Sequence, residues 1–290
     1  MPSALLFLPL VLLLQSAPSD QATPAVPAAA YEITRIDEDD LKAFVVKVRL
    51  TDPRVTVSVV PAHPQDPDGE GPCVTTLRPV SQVARERDFE IAVNASFFAA
   101  PAVRPFNGKN IRYFAGNPGH PVGWLVHEGH VLTKPARENM PTLIVRTDGS
   151  VGIEPSLTEM PEAVRFAVSG NVMLLDAGQP VEHANDTARH PRTALGLSQD
   201  KTTLILLVVD GRREGWSRGC TYGELASKLI EHGAYVGMNL DGGGSSTLVI
   251  KDPATGVHAI ANRPSDRSPA YDWMSIERAV TDVIGIDIAE

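Results

Sequence analysis

The stretch TYGELASKLIEHGAYVGMNLDGGGSSTLVI, residues 221–250, holds a helix, two strands and a glycine loop, each with its own punctuation. Thr221 and Glu224 stand at the spacing of a capping box, in which the threonine oxygen accepts a helical amide and the glutamate reaches back to the cap. Leu225, Leu229 and Ile230 recur at helical spacing, and Gly233 is the left-handed residue that stops the helix. Residues 235–240 then read as a strand, DGGGSS as a loop and 247–250 as a second strand. The strand end therefore carries Asn239 and Asp241 into three consecutive glycines.

Working outward, the chain is mostly strands. Phe44, Val46, Val48 and Leu50 share one face, as do Val55, Val57 and Val59, with Asp52-Pro53 turning between them. Residues 63–72 read as a loop, 78–88 as a short helix and 89–93 as a strand. Glu128-Gly129, Asp148-Gly149 and Ala177-Gly178 mark three hairpins, and 193–197 with 203–209 makes a fourth. Strands near 257–261 and 279–286 close the chain, with no internal repeat and no linker after about residue 30. The expected fold is a single α+β domain over 31–290, with mixed, largely antiparallel, hairpin-rich sheets and a few helices. Its 23 glycines and 24 prolines, against 6% aromatic residues, suit many turns and short strands.

The N-terminus differs in kind. Residues 4–14, ALLFLPLVLLL, are too few to span a bilayer, which takes about 20, but fit the apolar region of a signal peptide. No Lys or Arg precedes the run, and Ser16, Ala17 and Ala22 all lie near candidate cleavage positions. Residues 1–22 are assigned as the leader and 23–30 as an Ala/Pro-rich linker, which predicts export to the periplasm or the exterior. No later segment has 18 consecutive apolar residues, so no membrane span is expected in the mature protein. An oxidising compartment permits a Cys73–Cys220 disulfide; the alternative is two separate, buried, inert thiols. A formal charge of −9 without a basic block argues against a nucleic-acid partner.

Four segments carry candidate chemistry. In 239–246, NLDGGGSS, the amides of Gly242, Gly243 and Gly244 suit an anion-binding nest, with Ser245 and Ser246 adding hydroxyls; a plain tight turn is the other reading. In VNASFF, 93–98, Asn94 and Ser96 precede two aromatics, which suits sugar contact or simple core packing. In HPRTALG, 190–196, Arg192 opens a strand of small and apolar residues, so a buried guanidinium needs a carboxylate or a substrate phosphate. In DGRR, 210–213, Asp210 resembles Asp241 as a carboxylate at a strand end beside glycine. The pair His127 and His130 across a hairpin turn, and DPDGEG at 66–71, lack metal-site spacing.

In this order, NASFF at 94–98, PRTALG at 191–196, VVDGR at 208–212, SRGCTYGELASKLIEHGA at 217–234, NLDGGGSSTLV at 239–249, NRPSD at 262–266 and ERAV at 277–280 resemble the phosphodiester glycosidase family, over roughly residues 89–285. The family's first motif often has glycines after the Asn, where this chain has Ala95 and Ser96, so the sugar preferred is expected to differ. The resemblance implies hydrolysis of a sugar–phosphate linkage at the anomeric carbon. It implies a reacting set of Asp241, Asp210, Arg192 and Asn94, with substrate contacts from Ser96, Asn239, Gly242, Gly243, Gly244, Ser245, Ser246 and Arg278. Asp241 or Asp210 would be nucleophile or base, and the glycine loop with Arg192 would hold the phosphate. The partner implied is a sugar-phosphate or glycan substrate, and no cofactor is required. Two alternatives keep the residues and change the class: a Ca²⁺-dependent, non-catalytic binder of an anionic cell-wall polysaccharide using Asn239, Asp241 and Asp210, or a metal-dependent phosphodiesterase.

Overall fold

The alternating residues of 41–61 enter two different sheets. Leu41–Arg49 pairs with Tyr31–Glu38 on one side and Thr203–Val209 on the other, whereas Val55–Pro61 pairs with Asp282–Ile288. The Asp52 carboxylate fixes the corner, accepting the Arg54 amide at 3.1 Å and its guanidinium at 2.7 Å. The computed structural model describes residues 29–69, 71–271 and 273–289; the leader expected at 1–22 and most of the linker lie outside the described residues.

Three large sheets follow, beside two small ones of three and two strands. The seven-stranded one runs in the order Tyr31–Glu38, Leu41–Arg49, Thr203–Val209, Arg192–Leu197, Val236–Asn239, Val172–Asp176 and Gln179–Pro180. One five-stranded sheet is built on the hairpins Leu125–His127 with His130–Thr133 and Thr142–Arg146 with Val151–Glu154, joined through Val164–Ser169. The other has the order His258–Ile260, Leu248–Lys251, Ile91–Asn94, Asp282–Ile288 and Val55–Pro61. Every pairing among the described strands is antiparallel, which corrects the expected mixed sheet. A parallel pair needs a long crossover, usually a helix, and the two α-helices described here are used to cover sheet faces instead. The expected α+β class therefore fits loosely: the chain is a single sheet-rich domain with two α-helices.

The inner faces of the three sheets meet in one core, with Val46, Leu195 and Leu206 from the first, Phe166 and Leu143 from the second, and Val59, Ile91 and Ile284 from the third. Helix α1, Val80–Arg87, lays Val80, Val83 and Ala84 on the outer face of the last sheet, beside Phe89 and Val283. Helix α2, Tyr222–Glu231, packs Leu225, Ala226 and Leu229 over Ala43, Ile205 and Leu207. Both hydrogen bonds of its capping box are present, and Gly233 takes φ 96° directly after the end. The helix sits close because a Cβ on Gly237 would come within 2.9 Å of Leu229.

The two cysteines are free and buried, the second of the two readings the sequence leaves open. Cys220 is buried in the apolar layer under α2, where burial pushes its thiol up to about 12, while Cys73 is buried in the loop beside Asp68. The two thiols therefore sit in different surroundings, Cys220 under α2 and Cys73 in its loop, and they are not paired.

Candidate active site

Four strand ends converge, and one buried amide joins them. Asn94 donates from Nδ2 to the Asp241 carbonyl at 2.7 Å, while its Oδ1 accepts from Thr193 Oγ1 at 2.8 Å and from the Thr247 amide at 3.2 Å. Asp241 also donates its amide to the Ala95 carbonyl at 2.9 Å. The carboxylate is thereby held at the end of Val236–Asn239, facing a cavity of about 250 Å³. Around it stand Phe97, His190, Arg192, Arg212, Tyr222, Gly242, Gly243 and Arg278.

Asp241 is the one carboxylate among the described residues lining this cavity. Burial is the largest influence on it and raises its pKa from 3.8 to about 6; the nearby Ser245 hydroxyl, the Arg278 charge and the Gly242 amide pull the other way. The Gly242 amide donates to Oδ1 at 2.9 Å, which orients the group.

The cationic wall comes from three elements. Arg192 is buried at the start of its strand, lies over the Tyr222 ring at 4.1 Å and makes no ion pair among the described residues. Its Nε donates to the Cys220 carbonyl at 3.3 Å. Tyr222 is fixed in turn, its hydroxyl accepting Asn171 Nδ2 at 3.1 Å. Arg212 is exposed on a left-handed backbone, φ 57°, and its guanidinium covers Gly243, where a Cβ would approach Nη1 to 3.0 Å. Arg278 is held on Asp266 by two bonds of 2.9 and 3.0 Å and lies over the Tyr113 ring at 4.1 Å. Between Arg192 and Arg212 sits His190, whose pKa is lowered by burial first and by the two guanidiniums second, so it is neutral near pH 7.

Several expected site residues are placed elsewhere. Asp210 is buried with both oxygens occupied by N–H donors: Trp216 Nε1 at 2.9 Å, the Arg263 amide at 2.8 Å and Asn262 Nδ2 at 3.1 Å. It ties the end of Thr203–Val209 to two loops and does not line the cavity. Asn94 and Ser96 are likewise turned inward, Ser96 giving its amide at 2.7 Å and its hydroxyl to the Asp282 carboxylate. Asn239 is buried, with Nδ2 bonded to Asn171 Oδ1 at 2.8 Å, and Ser245 and Ser246 are buried beneath the loop.

The glycine loop is not an open nest. Its residues Gly243–Ser245 form a 3-10 turn, the Gly243 amide donates to the Pro191 carbonyl at 2.8 Å, and the Ser245 and Ser246 amides turn back on Gly242 and Gly243. The glycines serve close packing: a Cβ on Gly242 would meet the Pro191 carbonyl at 2.7 Å, and one on Gly244 would overlap the Asp266–Arg278 pair. Guanidiniums rather than backbone amides face the cavity.

Of the residues expected to react or bind, Asp241, Arg192, Arg278, Gly242 and Gly243 are brought together. The cavity also holds Phe97, Arg212, Tyr222 and His190, to which the sequence patterns give no site role. Phe97 had a signal in the paired aromatics of VNASFF, of which Phe98 instead packs on Tyr113 with ring centroids 5.5 Å apart. His190 and Arg212 stand in the HPRTALG and DGRR segments, whereas Tyr222 is hidden inside a capping box.

The model of the phosphodiester glycosidase family matches residues 88–287. Human N-acetylglucosamine-1-phosphodiester alpha-N-acetylglucosaminidase is 24% identical over 275 residues, and the bovine enzyme of that name 24% over 255. These alignments take in 86% and 80% of this chain, which spans about half the length of the curated relatives it matches, 48% and 43%. Among solved structures, the zebrafish catalytic domain of that enzyme, auto-inhibited by its pro-peptide, superposes with TM-score 0.66 at 21% identity, covering 91% of this chain and 85% of its own. A hypothetical protein from Synechocystis superposes with TM-score 0.56 at 16% identity, covering 89% and 62%. These last two likenesses concern the fold.

Proposed function

Since this chain belongs to the phosphodiester glycosidase family, we propose that it is an exported hydrolase that cleaves a sugar-1-phosphodiester at the anomeric carbon, with Asp241 as the reacting carboxylate. The observation that carries this reading is one half-buried carboxylate facing Arg192, Arg212 and Arg278 across a single cavity. The chemistry divides between the two sides. As the bond between the anomeric carbon and the phosphate oxygen breaks, its electron pair goes to the phosphate, and the guanidiniums stabilise that charge. The carbon becomes oxocarbenium-like, and the Asp241 carboxylate meets it either directly or by activating a water. A phosphomonoester is a good leaving group, so a second carboxyl acting as acid is not needed. Phe97 offers an apolar face for the sugar. Asp210, Asn94 and Ser96 act as positioning residues that hold the strand ends.

Export rests on the apolar run at 4–14, and no helix among the described residues is long and apolar enough to cross a membrane. The Ca²⁺-binding alternative called on Asn239, Asp241 and Asp210 together. Asp210 is surrounded by N–H donors, and neither it nor Asn239 lines the cavity that Asp241 faces, so the three do not present their oxygens together to one cation.

Hydrolysis in ¹⁸O-labelled water tests the bond cleaved. Label in the released sugar is the expected result; label in the phosphate would make the protein a phosphodiesterase and overturn the reading.

A further inference from the structure

The cationic groups of the cavity fall into two sets. Arg278 acts on Asp241 and already carries a counter-ion, Asp266, on two bonds of 2.9 and 3.0 Å. Arg192 and Arg212 act instead on His190, and neither has a carboxylate partner among the described residues. An anion entering the cavity is therefore drawn to Arg192, His190 and Arg212, where the positive charge is not already neutralised.

His190 meets that anion on a clamped backbone. Its amide donates to the Cys220 carbonyl at 3.2 Å, and its carbonyl accepts the Cys220 amide at 3.1 Å. A Cβ on Gly219 would come within 2.3 Å of the same carbonyl, so the two segments touch. The ring is fixed from another side. Nδ1 lies 3.4 Å from Arg212 Nη2, and a guanidinium carries only donors, so Nδ1 accepts. The ring is neutral near pH 7, because burial first and the charges of Arg192 and Arg212 second oppose its protonation. A neutral imidazole with a bare Nδ1 has its proton on Nε2. That N–H has no acceptor among the described residues, and the half-buried ring lines the cavity.

We propose that His190 contacts the substrate directly, its Nε2–H donating to a phosphate oxygen of the phosphodiester seated against Arg192 and Arg212. This deepens the proposed sugar-1-phosphodiester hydrolysis and rests on it. A neutral donor suits that reaction. Breaking the bond to the anomeric carbon takes the phosphate from one negative charge to two, and a hydrogen bond to it strengthens as the charge grows. A third cation beside Arg192 and Arg212 would also strengthen, but it would hold the dianionic product against release. The neutral imidazole favours the transition state without adding that charge.

The test uses two amides that each reproduce half of the ring. Asparagine sets an acceptor near the place of Nδ1, keeping Arg212 and losing the donor; glutamine sets an N–H near the place of Nε2 and keeps the donor. On the methyl ester of N-acetylglucosamine-1-phosphate, His190→Asn is expected to lower kcat/KM about tenfold, chiefly through kcat, while His190→Gln stays within about threefold of wild type. The reverse order, with His190→Asn near wild type and His190→Gln impaired, would show that the ring merely supports Arg212. Equal loss in both, or none in either, would overturn the contact as well.

Calorimetric titration with inorganic phosphate at pH 8 reads the contact without turnover, and Kd is expected to rise about tenfold in His190→Asn and by less than about threefold in His190→Gln. A wild type that hydrolyses no sugar-1-phosphodiester yet keeps this order of phosphate affinity retains the contact and loses the hydrolase reading. Hydrolysis without that order does the opposite. In the unaltered protein, nitrogen-15 shifts of the His190 ring at pH 8 are expected to show a bare Nδ1 and a protonated Nε2 whose signal moves when phosphate is added. The other tautomer, or an Nε2 signal that phosphate leaves in place, overturns the contact.

Discussion

A carboxylate held as Asp241 is held works against folding. Its pKa rises from 3.8 in an open chain to about 6 in the folded protein, so the folded state prefers it protonated. The stability this preference confers is complete below about pH 4 and is lost as pH rises through 6. At 1.36 kcal/mol per unit, the ionised group costs the fold about 3 kcal/mol at pH 8. Asp241→Asn is therefore expected to stabilise the protein by up to that amount at pH 8 and by little at pH 4, while removing nearly all turnover; urea unfolding at the two pH values measures the first, and activity that survives near wild-type level would dismiss the residue as the reacting group. The same pKa gives the activity profile a sign. If Asp241 reacts as the anion, kcat/KM rises with pH to a plateau above about 6, whereas a role as proton donor makes it fall there. His190 also titrates in acid, below its usual 6.5, so the limb has two candidate owners. It is expected to stay in place in His190→Asn, and a limb that moves or vanishes in that variant would transfer the profile to the histidine.

Elements turn these single residues into a site, and they differ in how far the sequence discloses them. Hairpins with Gly-containing turns and the capped helix α2 are legible because each is decided within a few residues. The pairing of Val55–Pro61 with Asp282–Ile288 is not, since nothing in either strand names a partner more than 200 residues away. The glycine loop shows the same division at the site. Its location is legible in NLDGGGSS, but a run of glycines permits an anion nest and close packing equally, and only the neighbours choose. Here they choose packing, which makes a prediction distinct from that of a nest. In Gly244→Ala the new methyl must push apart Asp266 and Arg278, so kcat/KM is expected to fall at least tenfold, with a stability loss of about 1–3 kcal/mol from overpacking. Were the loop an open nest, alanine at this position would cost mainly phosphate affinity and leave the Arg278 side intact, so product-phosphate inhibition measured alongside stability separates the two. Arg212, inside the DGRR segment, has no role legible in the sequence for a related reason. It reaches the cavity through a left-handed backbone that arginine seldom adopts, and no local pattern announces that conformation.

At the scale of the whole molecule, stability is drawn from one core shared by three antiparallel sheets, with a helix covering the outer face of each of two of them. A fold of this kind does not depend on a covalent staple, although export would permit one. A Cys73–Cys220 bridge, one of the two arrangements the sequence permits, would have closed a loop of about 147 residues and added roughly 5 kcal/mol by the chain-entropy account. The structure instead buries the two thiols apart, Cys220 under α2 with its pKa near 12 and Cys73 in its loop with its pKa raised by burial and by Asp68, so neither is a ready nucleophile. The thermal midpoint is accordingly expected to be the same with and without a reducing agent. A thiol reagent should label neither cysteine in the native protein and both after unfolding in denaturant, whether or not reductant was present beforehand. A midpoint that drops by several degrees on reduction, together with labelling that requires reductant in the unfolded state, would show that the sheets need the bridge and that the cysteines meet. The prediction also bears on the site, because the Cys220 carbonyl receives Arg192 Nε and the residue is bridged to His190. A disulfide drawn toward Cys73 would pull on both, so insensitivity of activity to reductant is expected for the same reason as insensitivity of stability.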